Sequence, residues 1–225
     1  MLFFRLDDIG GAQASVFGFI RFMESLERPY ILGIIPNLLT WRMKHFLRST
    51  RHALFFQHGT SHKNRSDSAA EDEFPAALGR RIIQSELRRG RLSLQKALKR
   101  DVTGYVPPWN RLSDVALRVL EAEGYRILSG NSLFKTEMAQ MPIHVDVYSQ
   151  YSPVVLRPSE EIQQEIEKTA GTHRVFGVMM HPMSVPKGKT QALEDLVRRN
   201  VARMMTADQM AEAIGRNRNV FAAGQ

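Results

Sequence analysis

Leu2-Phe3-Phe4-Arg5-Leu6-Asp7-Asp8 opens the chain, and Ala53-Leu54-Phe55-Phe56-Gln57-His58-Gly59-Thr60-Ser61-His62 repeats its design. In each, an apolar run of strand length stops at carboxylates or imidazoles. A buried strand ending in polar groups places them on a rigid support, where α/β folds carry their chemistry. Asp and His at such ends are also the residue types that ligate divalent metals.

Working outward, strand and helix signals alternate. Leu2–Leu6 reads as a strand, and Ala12–Leu26 recurs with helical period through Val16, Phe19, Ile20, Met23 and Leu26. Tyr30–Ile35 is a second strand, Leu38–Leu47 a short helix and His52–Gln57 a third strand. A polar loop from His58 to about Asp72 follows. Phe74–Leu87 and Arg91–Leu98 are expected as two helices separated by Gly90. Gly104-Tyr105-Val106 runs into Pro107-Pro108-Trp109-Asn110, and Ser113 caps a helix that Gly124 ends. Tyr125–Leu128 and Ile143–Tyr148 read as strands, Ser159–Ala170 as a helix, and Val175–Met180 as a strand that stops at His181-Pro182. Leu193–Met205 and Ala207–Ile214 close the pattern as helices. Repeated strand–helix units with near-continuous apolar strands predict a parallel sheet covered by helices. Periodicity does not by itself separate a barrel from an open sheet.

The chain has 225 residues, 43% hydrophobic and 24% charged, which suits one α/β domain with a full core. We expect a domain over 1–216 and a frayed tail at 217–225. With no cysteine, disulfide scaffolds and Cys-ligated zinc or iron–sulfur sites are excluded. No run approaches the ~20 apolar residues of a transmembrane segment. Without a signal-peptide pattern at Met1-Leu2-Phe3-Phe4, a cytoplasmic location is expected. The formal charge of +8 favours anionic partners in general, but no zinc finger, RNA-binding or helix-turn-helix signature accompanies it. No specific nucleic-acid partner is expected.

Four polar clusters therefore follow four strands. His58 and His62, spaced i, i+4, would share one face of a helical turn. Two histidines and a carboxylate form a recurrent metal shell with open positions. Asp7 and Asp8 suit one ligand and one proton acceptor, or, more plainly, a capped turn. After two prolines, the Trp109 N–H is a candidate oxyanion donor. His181 is a candidate general acid, or a core histidine.

Taken in order, Leu6-Asp7-Asp8-Ile9-Gly10, His58-x-x-x-His62, Tyr105–Asn110 and Met180-His181-Pro182 resemble the four motifs of the polysaccharide deacetylase superfamily (carbohydrate esterase family four, the NodB-homology domain). The resemblance spans residues 2 to 183. It implies a distorted (β/α) barrel of about seven parallel strands surrounded by helices. It also implies hydrolysis of acetyl groups on sugars, with a divalent metal, zinc by preference, on Asp8, His58 and His62. Asp7 would be the base, the Trp109 N–H an oxyanion donor and His181 the acid, with Pro108 and Asn110 on the substrate. Val106 stands where the family's third motif carries the Arg that steadies the base. Asp146 is the candidate partner of His181. The implied partner is an acetylated amino sugar or glycan. Arg80, Arg81, Arg88, Arg89, Arg91, Lys96, Lys99 and Arg100 would suit a phosphate- or lipid-linked carrier, or form a solvated helix face. A barrel amidohydrolase acting on a non-sugar amide and a catalytically degenerate glycan-binding barrel are the alternatives.

Overall fold

The computed structural model describes residues 1–151, 154–185 and 189–215. The tail expected at 217–225 lies outside them. Ten strands and seven α-helices are described: β1 Leu2–Ile9, α1 Ala14–Ser25, β2 Tyr30–Ile34, α2 Trp41–Leu47, β3 Ala53–His58, α3 Arg80–Leu98, β4 Gly104–Val106, α4 Asp114–Ala122, β5 Ile127–Leu128, β6 Ala139–Gln140, β7 Ile143–Asp146, β8 Tyr148–Tyr151, β9 Val154–Leu156, α5 Ser159–Thr172, β10 Phe176–Met180, α6 Thr190–Asn200 and α7 Ala207–Gly215.

Eight strands form one sheet in the order β6-β5-β4-β3-β2-β1-β10-β7, every neighbouring pair parallel. The sheet curls into a distorted barrel wrapped by helices. Its two outermost strands are consecutive pieces of one run. The first piece bonds β5, and Met141 N–H and Ile143 N–H continue that edge onto the Leu128 and Gly130 carbonyls. The second piece pairs with β10. Counting this run once gives the seven strands expected.

Alternation along β1 assigns the two sides of the sheet. Leu2, Phe4 and Leu6 pack with Val16, Ile20, Phe176 and Leu196 in the layer between sheet and helices. Phe3 turns the other way, into a cluster with Ile31, Phe56, Val106 and Ile127 from four other strands. Met205, Met210 and Ala213 join that cluster at the end where Met205 N–H bonds the Leu2 carbonyl. The strand ends that carry the polar clusters lie at the opposite, C-terminal end.

Three local expectations are corrected. First, β1 does not stop at Leu6 but continues to Ile9, with a register shift against β2 between Leu6 and Ile9 and Asp8 at φ 63°. A left-handed residue inside a strand is a bulge that re-aims side chains. Second, Gly90 does not divide two helices: α3 is continuous over 19 residues. Gly90 is buried in its face, where a Cβ would lie 2.6 Å from Gln57 Nε2 and 3.2 Å from Pro36 Cγ. The glycine marks a close approach, which sequence alone reads equally well as a stop. Third, the strand expected to Tyr148 ends at Asp146, and an antiparallel hairpin of β8 and β9 follows it. The cap at Ser113 is as expected, its Oγ accepting from Ala116 N–H.

Candidate active site

The bulge at Asp8 solves a geometric problem. Neighbours on a strand point to opposite sides, yet Asp7 and Asp8 both reach the same cavity. His58 is the last residue of β3. The chain then turns through Gly59 at φ 56° and His62 at φ 53°, so the histidine pair is presented by a tight loop and not by the helical turn expected from its spacing. Their ring centroids are 4.9 Å apart.

Glu73 holds that loop. Its buried carboxylate accepts hydrogen bonds from Thr60 N–H at 3.1 Å, Thr60 Oγ1 at 2.8 Å and Ser61 N–H at 2.7 Å. At Gly59 a Cβ would fall 1.8 Å from Glu73 Oε2, so glycine is required there by both space and backbone angle.

Asp8 Oδ1 lies 3.2 Å from His58 Nε2 and 3.4 Å from His62 Nε2. One ligand atom from each of the three residues falls within 4.8 Å of the others. His58 Nδ1 is 3.0 Å from the Val106 carbonyl, so Nδ1 carries the hydrogen and Nε2 offers a lone pair toward Asp8. Both Asp8 Oδ1 and His58 Nε2 are buried without a hydrogen-bond partner. Two buried acceptors facing one another call for a cation between them. The donor set, two imidazole nitrogens and one carboxylate oxygen, suits a divalent ion with positions left open. Burial and the neighbouring His58 lower the His62 pKa, which favours the neutral ring. At Asp8, burial alone would raise the carboxyl, but the close approach of His58 and the charges of His58, His181 and His62 pull it below the usual range.

Asp7 is buried beside Arg5, which sequence reading passed over as part of an apolar run. Arg5 Nε and Nη2 donate to Asp7 Oδ2 at 3.1 and 2.8 Å. Nη1 donates to the carbonyl and Oγ of Ser129 at 2.8 and 3.0 Å, and Nη2 also to Asn110 Oδ1 at 2.9 Å. The position matched to the family's Arg is Val106, a core residue, and the guanidinium beside Asp7 comes instead from two residues upstream on its own strand. The available signal was a lone charge inside a buried strand, at the i−2 position that shares Asp7's side.

Trp109 and Asn110 follow β4 in left-handed conformations, φ 51° and 54°. Backbone outliers of this kind cluster at functional sites. The Trp109 ring lies 4.4 Å from that of His62, and both residues line the cavity. Pro108 is buried under the Gly59 turn, while Pro107 lines the cavity. His181, just after β10, places Nε2 3.9 Å from Asp8 Oδ2. The cavity has a volume of about 960 Å³. All the expected site residues except Pro108 line it. Its two arginines are Arg111 and Arg157, and Arg157 is held by Glu165 at 2.6 Å. The basic residues of α3 lie elsewhere: Arg88 and Arg91 are paired with Glu123. Among the described residues, no helix is long and apolar enough to cross a membrane.

No family model matches the chain, and no curated protein sequence matches it. Solved structures do match. A protein from Mycobacterium smegmatis assigned to the polysaccharide deacetylases superposes with a TM-score of 0.71 at 14% identity, over 100% of this chain and 93% of its own. A family 4 acetyl xylan esterase from Clostridium thermocellum, solved with a cobalt ion, gives 0.65 at 9% identity, over 93% and 89%. A family 4 pseudoenzyme from Bacillus anthracis gives 0.62 at 12% identity, over 92% of this chain and 62% of its own. The chain has the NodB-like fold of the family 4 carbohydrate esterases, at large sequence distance.

Proposed function

We propose that this protein is a metal-dependent deacetylase that hydrolyses the acetyl group of an acetylated amino sugar or glycan, with residues 1–216 as its catalytic domain. One observation carries the proposal. A three-donor metal set and a buried carboxylate with one free oxygen converge at the strand ends of a fold found in acetyl-removing esterases.

Asp8, His58 and His62 would hold the divalent ion, zinc by preference for this donor set. Bound there, it would supply Lewis acidity and a water of lowered pKa. Asp7 takes the proton of the attacking water at Oδ1, which has no partner in the fold, while Arg5 fixes Oδ2 and so orients the free oxygen. His181 gives a proton to the leaving nitrogen. The Trp109 N–H stabilises the developing oxyanion. Asn110 meets the substrate at the cavity wall while its Oδ1 ties Arg5 to the same loop. Pro108 acts beneath it by fixing the loop. A phosphate-bearing carrier draws support from Arg111 at the cavity and not from α3.

The test is metal content together with acetate release from a panel of N- and O-acetylated sugars, free and carrier-linked. Stoichiometric divalent metal with acetate release is expected. A metal-loaded protein that releases no acetate from any member would overturn the proposal.

A further inference from the structure

Asp146 ends β7 and pairs in register with Met179 of β10, two residues before His181. Both side chains reach the cavity, and they meet through a third. Tyr151, at the end of β8, places its hydroxyl 2.6 Å from Asp146 Oδ2 and 3.3 Å from His181 Nδ1. We propose that Tyr151 is a positioning residue that relays Asp146 to His181, holding the imidazole with its hydrogen on Nδ1 and Nε2 turned to the reacting group. The role rests on the deacetylase function proposed above.

A phenol has one hydrogen to give. The carboxylate is both the nearer and the stronger acceptor, so the hydrogen goes to Asp146. The tyrosine oxygen then presents a lone pair to Nδ1, and that contact is a hydrogen bond only if Nδ1 carries the hydrogen. The other ring nitrogen is left for chemistry, and it is the one that faces Asp8. In the reaction, the imidazolium gives its Nε2 proton to the nitrogen that takes the electron pair of the breaking C–N bond. What remains is the neutral ring with hydrogen on Nδ1, the form the tyrosine oxygen stabilises. Tyr151 and Asp146 keep their own protonation throughout.

The surroundings are built for this. Asp146 Oδ1 accepts from Tyr148 N–H at 2.9 Å, and the Asp146 carbonyl accepts from Arg157 Nη1 at 2.8 Å. Tyr148 in turn donates its hydroxyl to the His181 carbonyl at 2.9 Å. The Tyr151 ring stands edge-on to His181, centroids 5.0 Å apart at 79°. The hairpin thus grips His181 at backbone and ring.

Two readouts on the zinc-loaded full chain decide it. Long-range nitrogen–proton NMR of the His181 ring should show the Nδ1–H tautomer in the wild type and its loss in Tyr151→Phe and Asp146→Asn. An unchanged tautomer in both variants overturns the relay. Kinetically, both variants should lose about 10- to 100-fold in kcat on an N-acetyl substrate. They should stay within about threefold on 4-nitrophenyl acetate, whose leaving group departs without a proton. Equal losses on both substrates would mark a merely structural residue and overturn the proposal. If the wild type hydrolyses neither substrate, the deacetylase function fails, and the tautomer still decides the relay.

Discussion

The Arg5 guanidinium grips one oxygen of Asp7, Oδ2, with Nε at 3.1 Å and Nη2 at 2.8 Å, and leaves Oδ1 buried and unpartnered. Both residues sit on the interior side of β1 and are almost wholly buried. The pair therefore stabilises the site's charge and selects which oxygen is free to act.

Arg5→Met removes one partner of a buried ion pair. The uncompensated carboxylate should cost about 3–5 kcal/mol, read as a large fall in the denaturant midpoint. Arg5→Lys keeps the charge but not the planar fork. It should lose less stability and still lower kcat with bound metal unchanged. Wild-type kcat in Arg5→Lys would remove Arg5 from the positioning of Asp7.

Asp7→Asn and His58→Ala separate base from ligand. Asp7→Asn should retain metal and lose about 10²- to 10⁴-fold in kcat, the range of a general base. His58→Ala should lose metal and turnover together. Full activity in Asp7→Asn would refute the assignment of the base.

Glu73 touches no donor atom of the metal set, yet it satisfies Thr60 and Ser61 between the two histidines. Glu73→Ala should weaken metal affinity about 10- to 100-fold, the usual effect of support residues around a metal shell. Titration with a competing chelator measures this. Unchanged affinity would show that the loop holds its shape without the clamp.

Gly90→Ala pits helix propensity against packing. An interior Gly-to-Ala change gains up to about 1 kcal/mol. Here the new methyl meets Gln57, which is pinned by Nε2 donating to the Gly59 carbonyl at 2.9 Å and by Tyr125 Oη donating to its Oε1 at 2.6 Å. Overpacking costs about 1–3 kcal/mol, and displacing Gln57 about 1 more. A net loss of about 1–3 kcal/mol is expected from chemical denaturation; net stabilisation would contradict the close approach.

Burial would lower the His58 pKa, but the close approach of Asp8 and the charges of Asp7 and Asp8 raise it above the usual value of about 6.5. Proton and metal compete for the same Nε2. In the metal-free protein, the stabilisation from this raised value is complete below about pH 6.5 and is lost as pH rises through it. Metal affinity runs the other way and should still be climbing above pH 6.5. Zinc should therefore raise the Tm more at pH 8 than at pH 6.5; an equal or reversed difference would refute the competition.

Much of this was readable from residue order. The runs before Asp7, His58 and His181 announce buried strands, and the alternation of strands with helices announces a parallel sheet. Failures occurred where one residue type serves two purposes. Gly90 was read as a stop because a glycine that ends a helix and one that admits a neighbour look alike in one dimension. Arg5 was absorbed into an apolar strand because its partners, Ser129 and Asn110, are 124 and 105 residues away. Tyr151 carried no signal, since its proposed role exists only where the end of β8 meets His181, 30 residues on.

By itself, then, the sequence determined which polar groups follow the buried strands and their order along the chain: Asp7 and Asp8, His58 and His62, then His181. It did so because local periodicity encodes which strands are buried and where each one ends. Only the tertiary structure decided which oxygen of Asp7 is free, what clamps the histidine loop and what lies behind His181. Those answers depend on pairings between distant side chains. The curl of the sheet brings Arg5 to Ser129, Glu73 to Thr60 and Tyr151 to Asp146, because each buried polar group must find its partner within hydrogen-bond reach.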